Sequence, residues 1–372
     1  MNVAVVGFSD EARSVIQAVE NKLIDDVYIR YIFTDYKDLT NPIFNFIKHK
    51  VISSYDKIID DTSVDVVMVL DDNDECYNYI KQALYSNKHV ITSSTGVISK
   101  HHVELFKIAN DNSVGLYIDP TINFPLPITN VINHKLLKKI YHFHTITDIK
   151  THDVIGVMQE KGISLEEAKA YWKIDELNKD NIINEFAIIT MLAYDMKVES
   201  KKIYYRGLDG LDLEFLKVLD RLGYRLRLQG SAYFHEDEVE LIIEPVVHKN
   251  DGQMYYLDYN ATQSIVIFSS GIGYNINICK SGSNSKINSI IENINSIKND
   301  IKTKIMPKNS FECLGNDNSF AKYIIKADSL DKNIVDKMIG NVFITKHISG
   351  TKIKELGEKI TFYARISSEL TN

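Results

Sequence analysis

Four short apolar runs within the first hundred residues constrain this chain most. They are Asn2–Gly7 (NVAVVG), Val27–Thr34 (VYIRYIFT), Val64–Leu70 (VDVVMVL) and His89–Thr92 (HVIT). Segments with helical spacing alternate with them at Ser9–Lys22, Glu75–Ser86 and Lys100–Asn110, and Val114–Ile118 adds a fifth strand. Strands that are apolar on both faces and separated by helices predict a parallel sheet covered on both sides. The fold class is therefore α/β, with a doubly wound sheet. Its first strand–turn–helix unit stands where such sheets bind pyrophosphate groups.

After Pro120 the pattern changes to α+β. Thr121–Lys138 reads as helical and Lys139–Ile149 as an alternating strand. Ser164–Tyr171 opens with Ser-Leu-Glu-Glu, a capping-box start, and Asn181–Tyr194 is a further apolar-faced helix. Glu238–Val247, Met254–Tyr259 and Ser264–Ile278 read as antiparallel strands, and Ile287–Lys298 as a helix. Residues 300–318 are polar with little periodicity and read as a linker. Beyond them, a small tail is expected as strand Phe320–Asp328, helix Ser329–Gly340, and strands Asn341–Lys346 and Lys359–Ile366. The expected division is 1–120, closed by helices from 121–138 and 287–298, then 121–299, the linker 300–318 and the tail 319–372.

Charge narrows the partners. Lys and Arg total 43 against 50 Asp and Glu, a net charge of −7, which argues against nucleic acid as a partner. No apolar run approaches the roughly 20 residues needed to span a bilayer. The N-terminus lacks a basic region followed by a long apolar stretch, so a secretory signal is not expected. Cys76, Cys279 and Cys313 lie far apart, which rules against a disulfide framework or thiolate zinc site and suits a cytoplasmic protein.

Several stretches together resemble the homoserine dehydrogenases. They are Val64–Leu70, then Ala83–Thr92 (ALYSNKHVIT), Leu105–Pro120 with the Pro-x-Pro segment after it, and Met158–Ala168 (MQEKGISLEEA). Gly207–Gly230 (GLDGLDLEFLKVLDRLGYRLRLQG) and Val239–Pro245 continue the likeness in the same order, over roughly residues 1–298. The tail resembles a shortened ACT domain, a small ligand-sensing module. The resemblance implies a Rossmann-type domain, a substrate-binding and dimerisation domain, and NAD- or NADP-dependent interconversion of aspartate semialdehyde and homoserine. That reaction belongs to the biosynthesis of threonine and methionine.

At the positions that carry chemistry, the sequence departs from the family. A dinucleotide loop uses G-x-G-x-x-G because glycines let main-chain N–H groups approach the pyrophosphate at a helix N-terminus. Here the loop is Gly7-Phe8-Ser9-Asp10-Glu11-Ala12, with a serine in the middle glycine position and two carboxylates beside it. It reads either as a cofactor loop or as a helix start that caps itself. Asp35, at the tip of the second strand, would accept from a ribose 2′-OH and favour NAD over NADP, or be a turn residue. Leu70, Thr92, Ser93 and Gly282 complete the expected cofactor set. Of the family's two lysine positions, one is Thr95 and the other Glu185, while Asn181 replaces an aspartate. Substitute proton-transfer groups within reach of the pattern are Lys280, Lys286, His142 and His152.

His142 and His144 share one strand face at a ligand-like spacing, but without a third ligand they read as a packed pair, and no metal is expected. Arg221, Arg225 and Arg227 read as partners of surface carboxylates. A homodimer is expected from the long apolar-rich strand Ser264–Ile278, and a small amino-acid-like molecule as ligand. Two functions remain open: a divergent oxidoreductase, or a catalytically silent homologue acting as a dimeric binding or regulatory protein.

Overall fold

The structure is a computed structural model of the whole chain. It describes residues 1–34, 47–122, 129, 132, 140–146, 149–174, 178–250, 255–256, 262–269, 273–279, 285–301, 309–317 and 319–367. The chain divides into two compact units. The first comprises 1–135, 187–199 and 282–310, and the second 136–186, 200–281 and 311–372.

The first unit is the parallel sheet that the apolar runs predict. Its strands and helices are β1 (Asn2–Val6), α1 (Asp10–Glu20), β2 (Tyr28–Phe33), β3 (Val51–Ile52), α2 (Asp56–Asp60), β4 (Val66–Val69), α3 (Cys76–Tyr85), β5 (His89–Thr92), α4 (Thr95–Asp111) and β6 (Leu116–Tyr117). Among the described residues six strands pair in the order β3-β2-β1-β4-β5-β6, every pair parallel. The order reverses at β1, which puts a crevice at the carboxyl ends of β1 and β4. β1 and β4 are buried on both faces, as strands under two helical layers must be. α1 turns Ala12, Val15, Ile16 and Val19 inward at the i, i+3, i+4, i+7 spacing of an apolar stripe. Helix α4 begins five residues earlier than its apolar spacing suggested, at Thr95 instead of Lys100.

The second unit is α+β. It contains β7 (Ile140–Ile146), α5 (Ile149–Lys161), α6 (Leu165–Tyr171), α7 (Lys179–Tyr194), β8 (Tyr204–Tyr205), α8 (Leu213–Arg221), β9 (Tyr224–His235), β10 (Glu238–Lys249), β11 (Thr262–Ser269) and β12 (Gly273–Cys279). Residues 187–194 of α7, and the later helix α9 (Ser285–Lys298), fall in the first unit, where Ile287, Ile290 and Ile294 join the core beneath α1. The capping box of α6 is present: Ser164 Oγ accepts from Glu167 N, and Glu167 accepts from Ser164 N at 2.8 Å.

Three expectations are corrected here. The single long strand at Ser264–Ile278 is two antiparallel strands, β11 and β12, paired from Thr262↔Cys279 to Phe268↔Gly273. Gly271 and Gly273, between the two apolar halves of the sequence, were a break signal that the unbroken reading overlooked. The linker carries a strand, β13 (Glu312–Leu314), paired with β10. The expected tail helix Ser329–Gly340 ends instead in a strand. The tail runs β14 (Phe320–Ala321), β15 (Tyr323–Ala327), β16 (Val335–Ile339), β17 (Val342–Thr345), β18 (Ile348–Ser349), α10 (Gly350–Leu356) and β19 (Ile360–Ile366). Gly340 has φ +62° and closes the β16–β17 hairpin, a left-handed position that glycine favours.

The tail also completes a sheet begun elsewhere. Its strands β19, β15, β17 and β16 continue the order β12-β11-β7-β9-β10, through parallel pairing of Val246 and Val247 with Arg365 and Ile366. Lys326 of β15 pairs with Asp212 and Glu214 at the start of α8, at 2.5 and 2.6 Å. One face of this sheet is apolar, with Leu226, Val247, Ile324, Phe362 and Ala364 packed under the helices. On the opposite face the tail strands are also apolar, with Tyr323, Ile325, Phe343 and Tyr363 packed with Ile353 of α10, and a polar part lies around Gln229, Tyr233, Glu240 and Arg365.

Candidate dinucleotide cleft

The carboxyl ends of β1, β2 and β4 open onto a cleft of about 400 Å³ lined by Gly7, Phe8, Ser9, Phe33, Thr34, Asp71, Asn73, Glu75 and Tyr79. Gly7 has φ +101°, and its N–H donates to Phe33 O at 2.9 Å, which turns the chain sharply from strand into helix. Ser9 is the N-cap of α1. Its hydroxyl accepts from Ala12 N at 3.2 Å and donates to Leu70 O at 2.7 Å. The helix start therefore caps itself, and Leu70 contributes a main-chain acceptor to that cap.

The charges around the loop are resolved differently on its two sides. Asp10 is ion-paired to Arg13, whose other nitrogen donates to Phe8 O at 2.8 Å while its guanidinium lies over the Phe8 ring. Among the described residues Asp71 is in no ion pair. It stands at the end of β4 with its carboxylate against Gly7: a Cβ added to that glycine would meet Asp71 Oδ2 at 2.8 Å. Burial pushes the Asp71 carboxyl above its ordinary range, and the charges of Glu11 and Asp72 push it further. No lysine or arginine lines this cleft among the described residues.

The other end of the cleft is aromatic. Phe33, Tyr55 and Tyr79 form a cluster with ring centroids 4.7–5.7 Å apart, and Tyr55 donates to Tyr79 O at 2.6 Å. Of these only Phe33 and Tyr79 line the cleft, where an aromatic ring can stack on a base. The residues present therefore fit the nucleoside end of a dinucleotide, whereas at the loop they set the Asp71 carboxylate where a diphosphate would lie.

The remaining expected positions serve the scaffold. Thr92 donates to Val69 O at 3.0 Å and accepts from Ser94 N, and Ser93 N donates to Val69 O, so both fasten β5 to β4. Thr95, the first residue of α4, is buried and donates to Thr121 O at 2.7 Å. In the second unit Glu185 is buried and accepts from Asn181 at 2.8 Å. His152 is buried and its Nε2 accepts from Leu228 N. Asp35, Lys280 and Gly282 lie outside the described residues, as does the side chain of Lys286. His142 stacks on Phe268 at 4.1 Å, and His144 bonds Ser231 at 3.1 Å.

Asp71 and Asp119 were missed by sequence reasoning. Asp119, at the end of the strand before Pro120, is buried and accepts from Thr129 N, from Thr129 Oγ1 and from Asn293 at 2.8 Å, while burial raises its carboxyl above the ordinary range. The run Asp71-Asp72-Asn73-Asp74-Glu75 was a visible signal for the first, although its four carboxylates read equally well as a solvated loop. Arg227, expected to meet surface carboxylates, is buried within β9.

A parallel sheet with a cleft at its switch point, followed by a helix-backed mixed sheet, defines the class: a Rossmann-type α/β protein with a second, α+β unit. In sequence and in fold the chain is similar to homoserine dehydrogenases. No protein-family model matches it. It is 22% identical over 227 residues to the homoserine dehydrogenase of Bacillus subtilis, covering 58% of this chain and 52% of that protein. The aligned part thus spans about half the length of that curated relative. The homoserine dehydrogenase structure from Thiobacillus denitrificans superposes with a TM-score of 0.86 at 13% identity, over 99% of this chain and 98% of that one. A hyperthermophilic archaeal homoserine dehydrogenase mutant in complex with NADPH gives a TM-score of 0.66 at 16% identity, over 80% and 98%.

Proposed function

We propose that the chain is a homoserine dehydrogenase-like oxidoreductase scaffold that binds an NAD(P)-type dinucleotide weakly and interconverts aspartate semialdehyde and homoserine at a severely reduced rate. The observation that carries this reading is the Asp71 carboxylate against Gly7, in the cleft where the fold would hold the diphosphate. NAD is preferred over NADP, because Asp35, which follows Thr34 in the sequence, would repel a 2′-phosphate bound near it. Interconverting an alcohol and an aldehyde requires a group that moves a proton at oxygen. Thr95 and Glu185 stand in place of the family's lysines, and both are buried and hydrogen-bonded within the protein.

That same pair favours a second reading, a silent homologue acting as a dimeric binding or regulatory protein. The protein is cytoplasmic in either case; among the described residues no helix is long and apolar enough to cross a membrane. A homodimer is supported by β12, which ends the second unit's sheet among the described residues. Light scattering at micromolar concentration is expected to give twice the 42.5 kDa chain mass; a monomer mass would remove the dimer.

The test of function is absorbance at 340 nm with homoserine and either cofactor over pH 7 to 10. A turnover well below about 1 s⁻¹ is expected, because loss of a positioned acid–base group costs roughly 10²–10⁴-fold. Measurable turnover that needs the dinucleotide supports the oxidoreductase reading, and none at all supports the silent homologue. A rate constant above about 1 s⁻¹ would contradict both.

A further inference from the structure

The polar part of the second unit's sheet, on the face away from Leu226 and Val247, holds a cavity of about 280 Å³ with no role in the dinucleotide cleft. Strand alternation builds it: Gln229 and Tyr233 of β9, Glu240 of β10, His144 of β7 and Arg365 of β19 point to one side, and Ala321 lies on its rim. Gln229, Glu240 and Arg365 are each more than nine-tenths buried. Charged side chains are seldom buried so deeply without full pairing.

The pairing here is incomplete. Arg365 Nε lies 3.3 Å from Glu244 Oε1, yet among the described residues neither that nitrogen nor either Glu244 oxygen makes an aligned hydrogen bond. Glu240 is a second carboxylate on the wall, held above its ordinary range mainly by burial. His144, with its pKa pushed down to about 3 by burial, is a neutral hydrogen-bonding group at physiological pH. The wall therefore presents a guanidinium, a carboxylate and several neutral polar groups. Its volume lies at the lower edge of ligand pockets, too small for a nucleotide and sufficient for a molecule of amino-acid size.

We propose that this cavity binds a small zwitterion, its carboxylate taken by Arg365 and its ammonium by Glu240. A guanidinium matches a carboxylate in a planar, charge-assisted geometry, and a buried carboxylate is well matched to an ammonium group. The site belongs to the second unit alone and does not depend on the dinucleotide cleft.

Calorimetry with the full chain tests this using three probes of one skeleton: serine, ethanolamine (no carboxylate) and 3-hydroxypropionate (no ammonium). Serine is expected to bind at least about tenfold more tightly than either. Glu240→Gln is expected to weaken serine about tenfold or more. Ala321→Phe, which fills the rim without changing a charge, is expected to abolish binding, with the melting temperature checking that each variant is folded. Three outcomes would overturn the proposal: no serine binding up to about 50 mM, weaker than any useful affinity, equal affinity for the three probes, or serine binding unchanged in folded Ala321→Phe. The last would assign the serine to another site, including that of the dehydrogenase reading.

Discussion

The cleft of the first unit and the polar sheet face of the second both carry carboxylates, and they stabilise them in opposite ways. In the cleft, Asp71 and Glu75 line a partly open space, and no lysine or arginine lines it with them among the described residues. On the sheet face, Glu244 and Arg365 are buried together, and each makes the charge of the other tolerable. The difference teaches where substitution is cheap. A charge beside water can change at little cost to folding and a large cost to ligand choice, whereas a buried charge is tied to the fold.

The sharpest way to break this comparison is Arg365→Met. Removing one partner of a buried ion pair costs about 3–5 kcal/mol, since the other is stranded. Urea unfolding followed by the second unit's tyrosines should show that loss, and adding Glu244→Leu should recover much of it. Burial holds the Glu244 carboxyl above its unfolded value, so in the single variant stability should be greatest at low pH and fall as pH rises through the raised value. A loss below about 1 kcal/mol would mean the pair contributes no more than a surface one.

The cleft should behave in the reverse manner. Asp71→Asn combined with Glu11→Gln should raise NAD affinity about tenfold or more, because each carboxylate near a diphosphate costs on the order of 1 kcal/mol at an intermediate dielectric. Their melting temperature should stay within a few degrees. An unchanged affinity would remove Asp71 from the account of the cleft.

Smaller still is the effect of local caps. Ser164→Ala should cost about 1 kcal/mol by removing the capping box of α6. Ser9→Ala should cost about as much, since Ser9 both caps α1 and ties β4 to it through Leu70. A Ser9→Ala loss far below that of Ser164→Ala would show that the loop does not depend on its cap.

The parallel sheet was legible because fully apolar strands such as NVAVV and VVMV admit few other environments. The Ser164 capping box was legible because its signal is local. What stayed hidden depended on distant pairing. The antiparallel pairing of β11 with β12 splits one apolar run of sequence, and Val335–Ile339 becomes a strand only by pairing with β17. The cleft was half legible: Gly7, Ser9, Asp10 and Glu11 form one contiguous loop, but Asp71 reaches Gly7 only because β1 and β4 are sheet neighbours. The charged cavity was invisible for the same reason, since its residues come from five strands spread over more than two hundred positions.

The central claim is that the scaffold is kept while a carboxylate opposes the diphosphate in its cleft. NAD titration by calorimetry from pH 8 to pH 5, on the native chain and on Asp71→Asn, tests it most directly. Protonating Asp71 removes a repelling charge, so native affinity should rise as pH falls toward its raised pKa, and Asp71→Asn should bind more tightly at pH 8 with a flatter profile. Sub-micromolar NAD affinity at pH 8 in the native chain, unaffected by Asp71→Asn, would contradict it.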